Sequence, residues 1–131
     1  MIVLDTQVWL WWLHDPSRLS RRARSAIEAE EKADGMRVSV ISVWEIAVKT
    51  RLGKLELPLE IRAWFQLARS YPNVVVEPVS ARDAIASTEL PGTFHKDPAD
   101  RIIIAMARRY GVALVTFDKQ IRAYPHVTTV W

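Results

Sequence analysis

Cysteine is absent from the 131 residues. Disulfides and thiolate-held metals are therefore excluded, and a chain without cysteine suits a reducing cytosol. Long apolar runs are missing too. No stretch approaches about eighteen uncharged apolar residues, so no membrane-spanning helix is predicted. The N-terminal "MIVLD" is halted by an acid at its fifth residue. It lacks the basic start and long apolar centre of a secretory signal, and a cytoplasmic location is expected. There is no GxxxxGK phosphate loop, because Val48 stands where its first glycine would be. No internal repeat, low-complexity segment or linker interrupts the chain. One domain over residues 1–131 is expected, long enough to bury about two thirds of its unfolded surface without covalent staples.

What is present has an ordinary globular balance, with half the residues hydrophobic and a quarter charged. The net charge of +3 is a mild pointer to an anionic partner. Short branched runs read as buried strands: "MIVLD", "RVSVIS", "VVVEPV" and "VALVTF", with "VTTVW" as a further candidate. Between them, "TQVWLWWLH", "SRRARSAIEAEEKADG" (to Gly35), "VWEIAVKTRLGKL" (stopped at Gly53), "LEIRAWFQLARSY" (closed by Pro72), "ARDAIASTEL", "PADRIIIAMARRY" (ended by Gly111) and "KQIRAY" read as helices. Strands that are continuously apolar and alternate with helices predict a parallel sheet covered on both faces.

The acids fall at particular places on this frame. Asp5 ends the first strand. Glu45 lies in the first turn of the helix after the second, Asp100 in the first turn of "PADRIIIAMARRY", and Asp118 follows the fourth strand. In open parallel sheets, strand ends and helix starts gather at one crevice. Each acid also has a local explanation. "SVWE" (Ser42 to Glu45) matches a capping box, Asp97 is placed to cap the helix that begins at Pro98, and Asp5 and Asp118 are placed to cap their own helices. Convergence has a cost that caps alone do not explain. Two carboxylates about 5 Å apart repel by roughly 3 kcal/mol at an effective dielectric of 20. Four make six pairs, an upper bound of roughly 15–20 kcal/mol, against about 5–15 kcal/mol of total stability. Such a cluster must protonate, spread apart or hold cations. Oxygen donors without His or Cys select Mg²⁺ or Mn²⁺, and an ion of that kind that activates water and polarises phosphate points to phosphodiester hydrolysis.

The blocks "MIVLDTQVWLWWL", "SVISVWEIAVKTRLGKL", "HKDPADRIIIAMARRYGVALVTFD" and "VTTVW" resemble a PIN domain, and more closely a VapC-type toxin ribonuclease of a type II toxin–antitoxin pair. The resemblance runs from Met1 to Trp131. It implies a three-layer α/β/α sandwich around a central parallel sheet, usually dimeric. It implies Mg²⁺- or Mn²⁺-dependent cleavage of RNA, leaving 5′-phosphate and 3′-hydroxyl ends. It also implies a VapB-like antitoxin whose C-terminal segment fills the active-site groove. Motif by motif, the family's four acids fall on Asp5, Glu45, Asp100 and Asp118. Asp5 and Asp100 are then expected to hold the metal directly, and Glu45 and Asp118 to bind through water or hold a second ion. Thr6 and Thr116 match the polar residues beside the first and last acids. Asp97 is an extra acid at the same corner, a helix cap or an outer-shell water ligand.

Among the bases, Lys49 and Arg101 are candidates for phosphate at the acid-lined mouth, with Arg51, Lys54, Lys119 and Arg122 extending the track. Lys49 also stands four residues from Glu45, at pairing distance on a helix. Arg108 and Arg109, like Arg21, Arg22 and Arg24, read as solvated helix faces. His95 stands in a loop beside the acids, a candidate for substrate contact or general-acid work that a metal mechanism does not require. Six tryptophans are many for this length. Core packing accounts for most, with an interface second and RNA stacking third.

Other acidic-corner folds fit poorly. A phosphoacceptor receiver needs paired acids after its first strand, where Leu4 precedes Asp5, and a lone Asp after its third, where Glu77 and Pro78 stand. An aspartyl phosphatase needs a second Asp two residues on, where Gln7 stands. The remaining rival is a catalytically silent RNA-binding or protein-interaction module on the same fold, and intact acids weigh against it.

Overall fold

Branched apolar runs with no polar alternation become strands buried on both faces. The computed structural model describes residues 1–95 and 97–131. In chain order, β1 (Ile2–Leu4) leads into α1 (Thr6–His14), a single 3-10 turn at Pro16–Arg18, and α2 (Arg21–Glu31). β2 (Met36–Ser39) leads into α3 (Val40–Arg51) and α4 (Ile61–Ala68), and β3 (Val74–Glu77) into α5 (Ala81–Thr88) and α6 (Pro98–Tyr110). β4 (Leu114–Val115), α7 (Lys119–Ala123) and β5 (Thr129–Val130) complete it.

Among the described residues these strands form one sheet in the order β3-β2-β1-β4-β5, and every pairing is parallel. The period of two along β1 assigns its side chains to opposite layers. Ile2 and Leu4 pack with Val8 and Trp9 of α1, Ile27 of α2, Ile46 of α3 and Trp64 of α4. Val3 faces the other way, with Ile103, Ile104 and Met106 of α6 and Ile121 of α7. Helices thus cover both faces, as the sandwich reading expects. The chain runs outward from β1 through β2 to β3, then returns to β1's other side for β4. The switch point therefore lies between β1 and β4, the place where open parallel sheets leave a crevice beyond their carboxyl ends.

Gly35 must be glycine. Its φ is +84°, and a Cβ there would lie 2.6 Å from the Asn73 carbonyl oxygen, at the entry to β2.

Several boundaries differ from the sequence expectation. The second strand stops at Ser39, not Ser42, because the Ser39 hydroxyl accepts the Ile41 N–H (3.2 Å) and starts a helix through Val40 and Ile41. Glu45 therefore lies in the second turn of α3, and the capping box does not form. α2 ends at Glu31, short of Gly35, since acidic Asp34 is unfavourable at a helix's negative end. α4 ends at Ala68 because Tyr71, before Pro72, is pushed from helical geometry. β4 holds two residues where six were expected, and the chain beyond it is given to the site. Among the described residues, no helix is long and apolar enough to cross a membrane.

Candidate active site

Asp5 leaves β1 as the N-cap of α1 and is 8% exposed. Its two oxygens have separate partners: Oδ1 accepts the Thr6 N–H (2.8 Å) and Oδ2 accepts the Thr116 hydroxyl (2.7 Å). Burial pushes its carboxyl above the ordinary range, those two hydrogen bonds pull back, and the Asp118 charge adds to the rise.

Thr6 is the hinge between two strands' worth of site. Its hydroxyl donates to Glu45 Oε1 (2.6 Å). A hydroxyl has one proton, so the 2.7 Å contact with Ser42 Oγ makes Ser42 the donor to Thr6. The chain of donation runs Ser42, Thr6, Glu45. Ser42, fully buried, was read from the sequence only as a helix cap, and its place in the site was not seen there. The signal existed: Ser42, Glu45 and Lys49 are spaced three and four apart and share a helix face. Glu45 is also pushed up, first by burial, then by Asp5 and Asp97, with Thr6 and Lys49 opposing.

Asp100 sits in the first turn of α6, and its N–H donates to Asp97 Oδ1 (3.0 Å). Its carboxyl is pushed up to about 8, by burial first and then by Asp5, Asp97, Glu45 and Asp118 together. Those four charges all act on this one residue, so the five acids lie toward the same end of the sheet. Asp118 N-caps α7. Its Oδ1 accepts the N–H groups of Gln120 (2.8 Å) and Ile121 (3.1 Å), while its own N–H donates to Thr116 Oγ1 (3.1 Å). Thr116 thus ties Asp5 to Asp118. Capping and convergence turn out to be one arrangement: Asp5, Asp97 and Asp118 each cap a helix whose start points at the corner. The positive helix ends partly offset the crowded negative charge.

His95 lies beside Asp100, with Nε2 3.2 Å from Oδ2 but off the line of a hydrogen bond. Its Nδ1 accepts the Asp97 N–H (3.3 Å), which leaves the neutral ring's proton on Nε2, toward Asp100.

The acids do not form a closed cage. As the side chains stand, no three His, Asp or Glu among the described residues are set to hold a metal ion. The donor chemistry still fits a hard divalent cation: carboxylate and hydroxyl oxygens, net negative, at a crevice.

The basic candidates divide. Lys49 is exposed yet close enough to lower both Asp5 and Glu45, although the two form no ion pair among the described residues. Arg101 is committed elsewhere. Its guanidinium donates to the carbonyls of Ser87 (2.8 Å), Phe94 (3.3 Å) and His95 (3.2 Å). Arg51 lines a groove of about 640 Å³ between α3 and α4, with Leu55, Leu57 and Ile61. Lys119 and Arg122 line a different cavity, with Arg22 of α2. The reading of a solvated face holds for Arg108, which is exposed, and is corrected for Arg109. Arg109 pairs with buried Asp83 (2.8 Å) and with Glu77 (3.3 Å), and Arg108 bonds the His126 carbonyl. Of the tryptophans, Trp9 and Trp64 pack edge-to-face in the core at 5.2 Å, whereas Trp44 is 58% exposed.

A family model described as PIN domain matches residues 2–127. The chain is 38% identical to Ribonuclease VapC22 of Mycobacterium tuberculosis over 133 aligned positions, covering 99% of this chain and 98% of that protein. Its fold is similar to that seen in VapBC2 from Rickettsia felis bound to a DNA fragment from their promoter, with TM-score 0.70, 17% identity, and 98% and 97% of the two chains covered. It is also similar to VapC20 of Mycobacterium tuberculosis, a sarcin-ricin loop cleaving toxin, with TM-score 0.64, 18% identity, and 98% and 99% covered. At those identities the two structures speak for the fold alone.

Proposed function

The chain belongs to the PIN-domain family, and from that premise we propose that it is a metal-dependent endoribonuclease, the toxin of a type II toxin–antitoxin pair. A single domain over residues 1–131 holds the activity. The observation that carries the reading is the gathering of acids at the β1–β4 switch point: Thr116 joins Asp5 to Asp118, Thr6 joins Glu45 to the end of β1, and Asp100 opens α6 beside them. Acids crowded in this way carry their full charge only when a cation sits among them.

Asp5 and Asp100 would hold the Mg²⁺ or Mn²⁺ ion directly, and Glu45 and Asp118 would hold it through water or bind a second ion. When bound, the ion supplies Lewis-acid polarisation of the phosphate and a water acidified toward neutral pH. The remaining residues keep the acids in place. Thr116 fixes Asp5 against Asp118, Ser42 and Thr6 aim Glu45, and Asp97 locks the start of α6. Lys49, at the rim, draws phosphate toward the acids. The 38% identity to a ribonuclease over nearly the whole chain supports RNA as substrate. The VapC-type resemblance and the 38% identity to a VapC ribonuclease support a VapB-like antitoxin as partner, and the resemblance implies a cytoplasmic location. Two copies of the chain assemble as a homodimer, as the family resemblance implies.

The test is incubation of antitoxin-free protein with total RNA, in Mg²⁺ or in EDTA, followed by mapping of the ends. Discrete cuts bearing 5′-phosphates in Mg²⁺ only are expected. Intact RNA in both, with folded protein, would overturn the reading and favour a silent module.

A further inference from the structure

Beside α7, on the flank away from His95, lies a cavity of about 380 Å³ lined by Arg22, Lys119, Arg122, Ala123, Thr129 and Trp131. Three cations surround it and no acid does. None of the three is in an ion pair with any described carboxylate, unlike Arg109 and Arg37, which are neutralised by Asp83 and Glu77. Like charges around one hollow repel one another, and an anion seated there relieves them. Thr129 adds a hydroxyl, the side-chain type that joins arginine in holding phosphate oxygens.

A row of rings connects this cavity to the acidic corner. Trp131, on its wall, lies 5.8 Å from Phe117 and 5.8 Å from Trp11, and Phe117 and Trp11 are 5.2 Å apart. Phe117 stands between Thr116 and Asp118, both parts of the carboxylate corner, and is 50% exposed. A large apolar ring left half open between an acidic corner and a basic hollow offers a shelf on which a base can stack. Its two ring neighbours hold it in place, so little order is lost when a base lands.

We propose that the Arg22–Lys119–Arg122 cavity is a phosphate site for single-stranded RNA, reached from the cleavage corner across Phe117. This rests on the nuclease reading and adds the path of the substrate strand to it. A backbone phosphate sits among the three cations, while the intervening base lies on Phe117. Cations on α2 and α7 then set which length of strand reaches the acids, so short RNAs that end before the cavity gain nothing from it. An acidic segment of a protein partner is the competing occupant. RNA is favoured because stacking rings flank the cations and run on to the acids.

The experiment measures binding of a fluorescein-labelled, unstructured 12-nucleotide RNA by anisotropy in EDTA, across a salt series, with cleavage of the same RNA and of a trinucleotide measured in Mg²⁺. Three proteins are compared: unaltered, Arg22→Gln/Arg122→Gln, and Phe117→Ala. All the altered side chains are exposed, and melting temperature checks that each variant folds. The double variant is expected to bind the 12-mer about tenfold more weakly, with a salt slope smaller by about 0.7, the share of one phosphate contact. Phe117→Ala is expected to weaken binding about tenfold at an unchanged slope. Cleavage of the trinucleotide, too short to span the corner and the cavity, is expected to fall less in the double variant than cleavage of the 12-mer. Unaltered affinity and slope in the double variant, with Mg²⁺-dependent cleavage intact, overturn the cavity proposal alone. Loss of antitoxin neutralisation with RNA binding intact overturns it in favour of the protein occupant. No RNA binding or cleavage by the unaltered protein overturns both this proposal and the nuclease reading.

Discussion

Asp100 is where the local and collective demands on one side chain meet. As the third residue of α6 it helps begin a helix, and its backbone is fixed by Asp97. As the acid facing the other four, its carboxyl keeps its proton up to about pH 8, while an unfolded chain gives it up near the ordinary 3.8. A raised folded-state pKa favours the folded form below the unfolded value, and that advantage is lost as the pH climbs through the folded one. Asp5 and Glu45 are shifted in the same direction and add to the trend. The metal-free protein is therefore expected to melt progressively lower from about pH 4 to about pH 8 in EDTA, measured by differential scanning calorimetry. Asp100→Asn should flatten much of that slope while reducing RNA cleavage by a hundredfold or more, on the order of a lost Lewis-acid contact. A melting temperature that rises over that range would contradict the coupling. Ser42 supplies a second test at this scale. Ser42→Ala removes the donor to Thr6 and is expected to cost about 1 kcal/mol of stability. It should lower cleavage roughly tenfold through misaimed Glu45, the size seen when outer-shell partners of metal ligands are removed. Full activity would make Ser42 a packing residue only.

At the scale of elements, the site is assembled from the ends of strands and the starts of helices. β1 and β4 stop early, and the residues past them, Asp5 and Thr116 to Asp118, turn into caps for α1 and α7. Much of this was legible in the sequence. The limits of α1 and α6 were readable because caps, a proline and a glycine mark them: Asp5 before Thr6, Asp97 and Pro98, Gly111. The end of β2 was not, because Val40 and Ile41 are as suited to a strand as to a helix, and only the Ser39 hydroxyl decides. That shift moved Glu45 a full turn inward and replaced a local capping box with the contact to Thr6, a residue 39 positions away. Arg101 illustrates the same limit. Its position beside Asp100 suggested phosphate, but its guanidinium ties the 94–95 loop to the end of α5 through three carbonyls. Arg101→Gln is expected to lower stability by about 1–3 kcal/mol through those unsatisfied carbonyls, and to leave the salt slope of RNA binding unchanged. A slope lower by about 0.7 in that variant would return Arg101 to the phosphate track.

For the whole molecule, the charge distribution carries more information than the net +3. Negative charge is gathered at the β1–β4 switch point. Positive charge left unpaired lies beside it, on α2 and α7, while Arg109 at the far end of α6 is neutralised by Asp83 and Glu77. That separation suits a polyanion which must be held by its flanks and opened at one bond. The parallel sheet could be read from composition and order alone. Pairing of Arg109 with Asp83 and Glu77 could not, since it joins elements whose contact depends on the packing of α5 against α6. The fold converges on the acidic corner and on its need for a divalent ion. Calorimetric titration of the metal-free protein with Mn²⁺ at neutral pH, with melting curves taken alongside, measures that need. Saturable binding that raises the melting temperature, and that Asp100→Asn abolishes, is the predicted result. Absence of any Mn²⁺ affinity or thermal shift in a folded protein that still cleaves RNA in EDTA would contradict it.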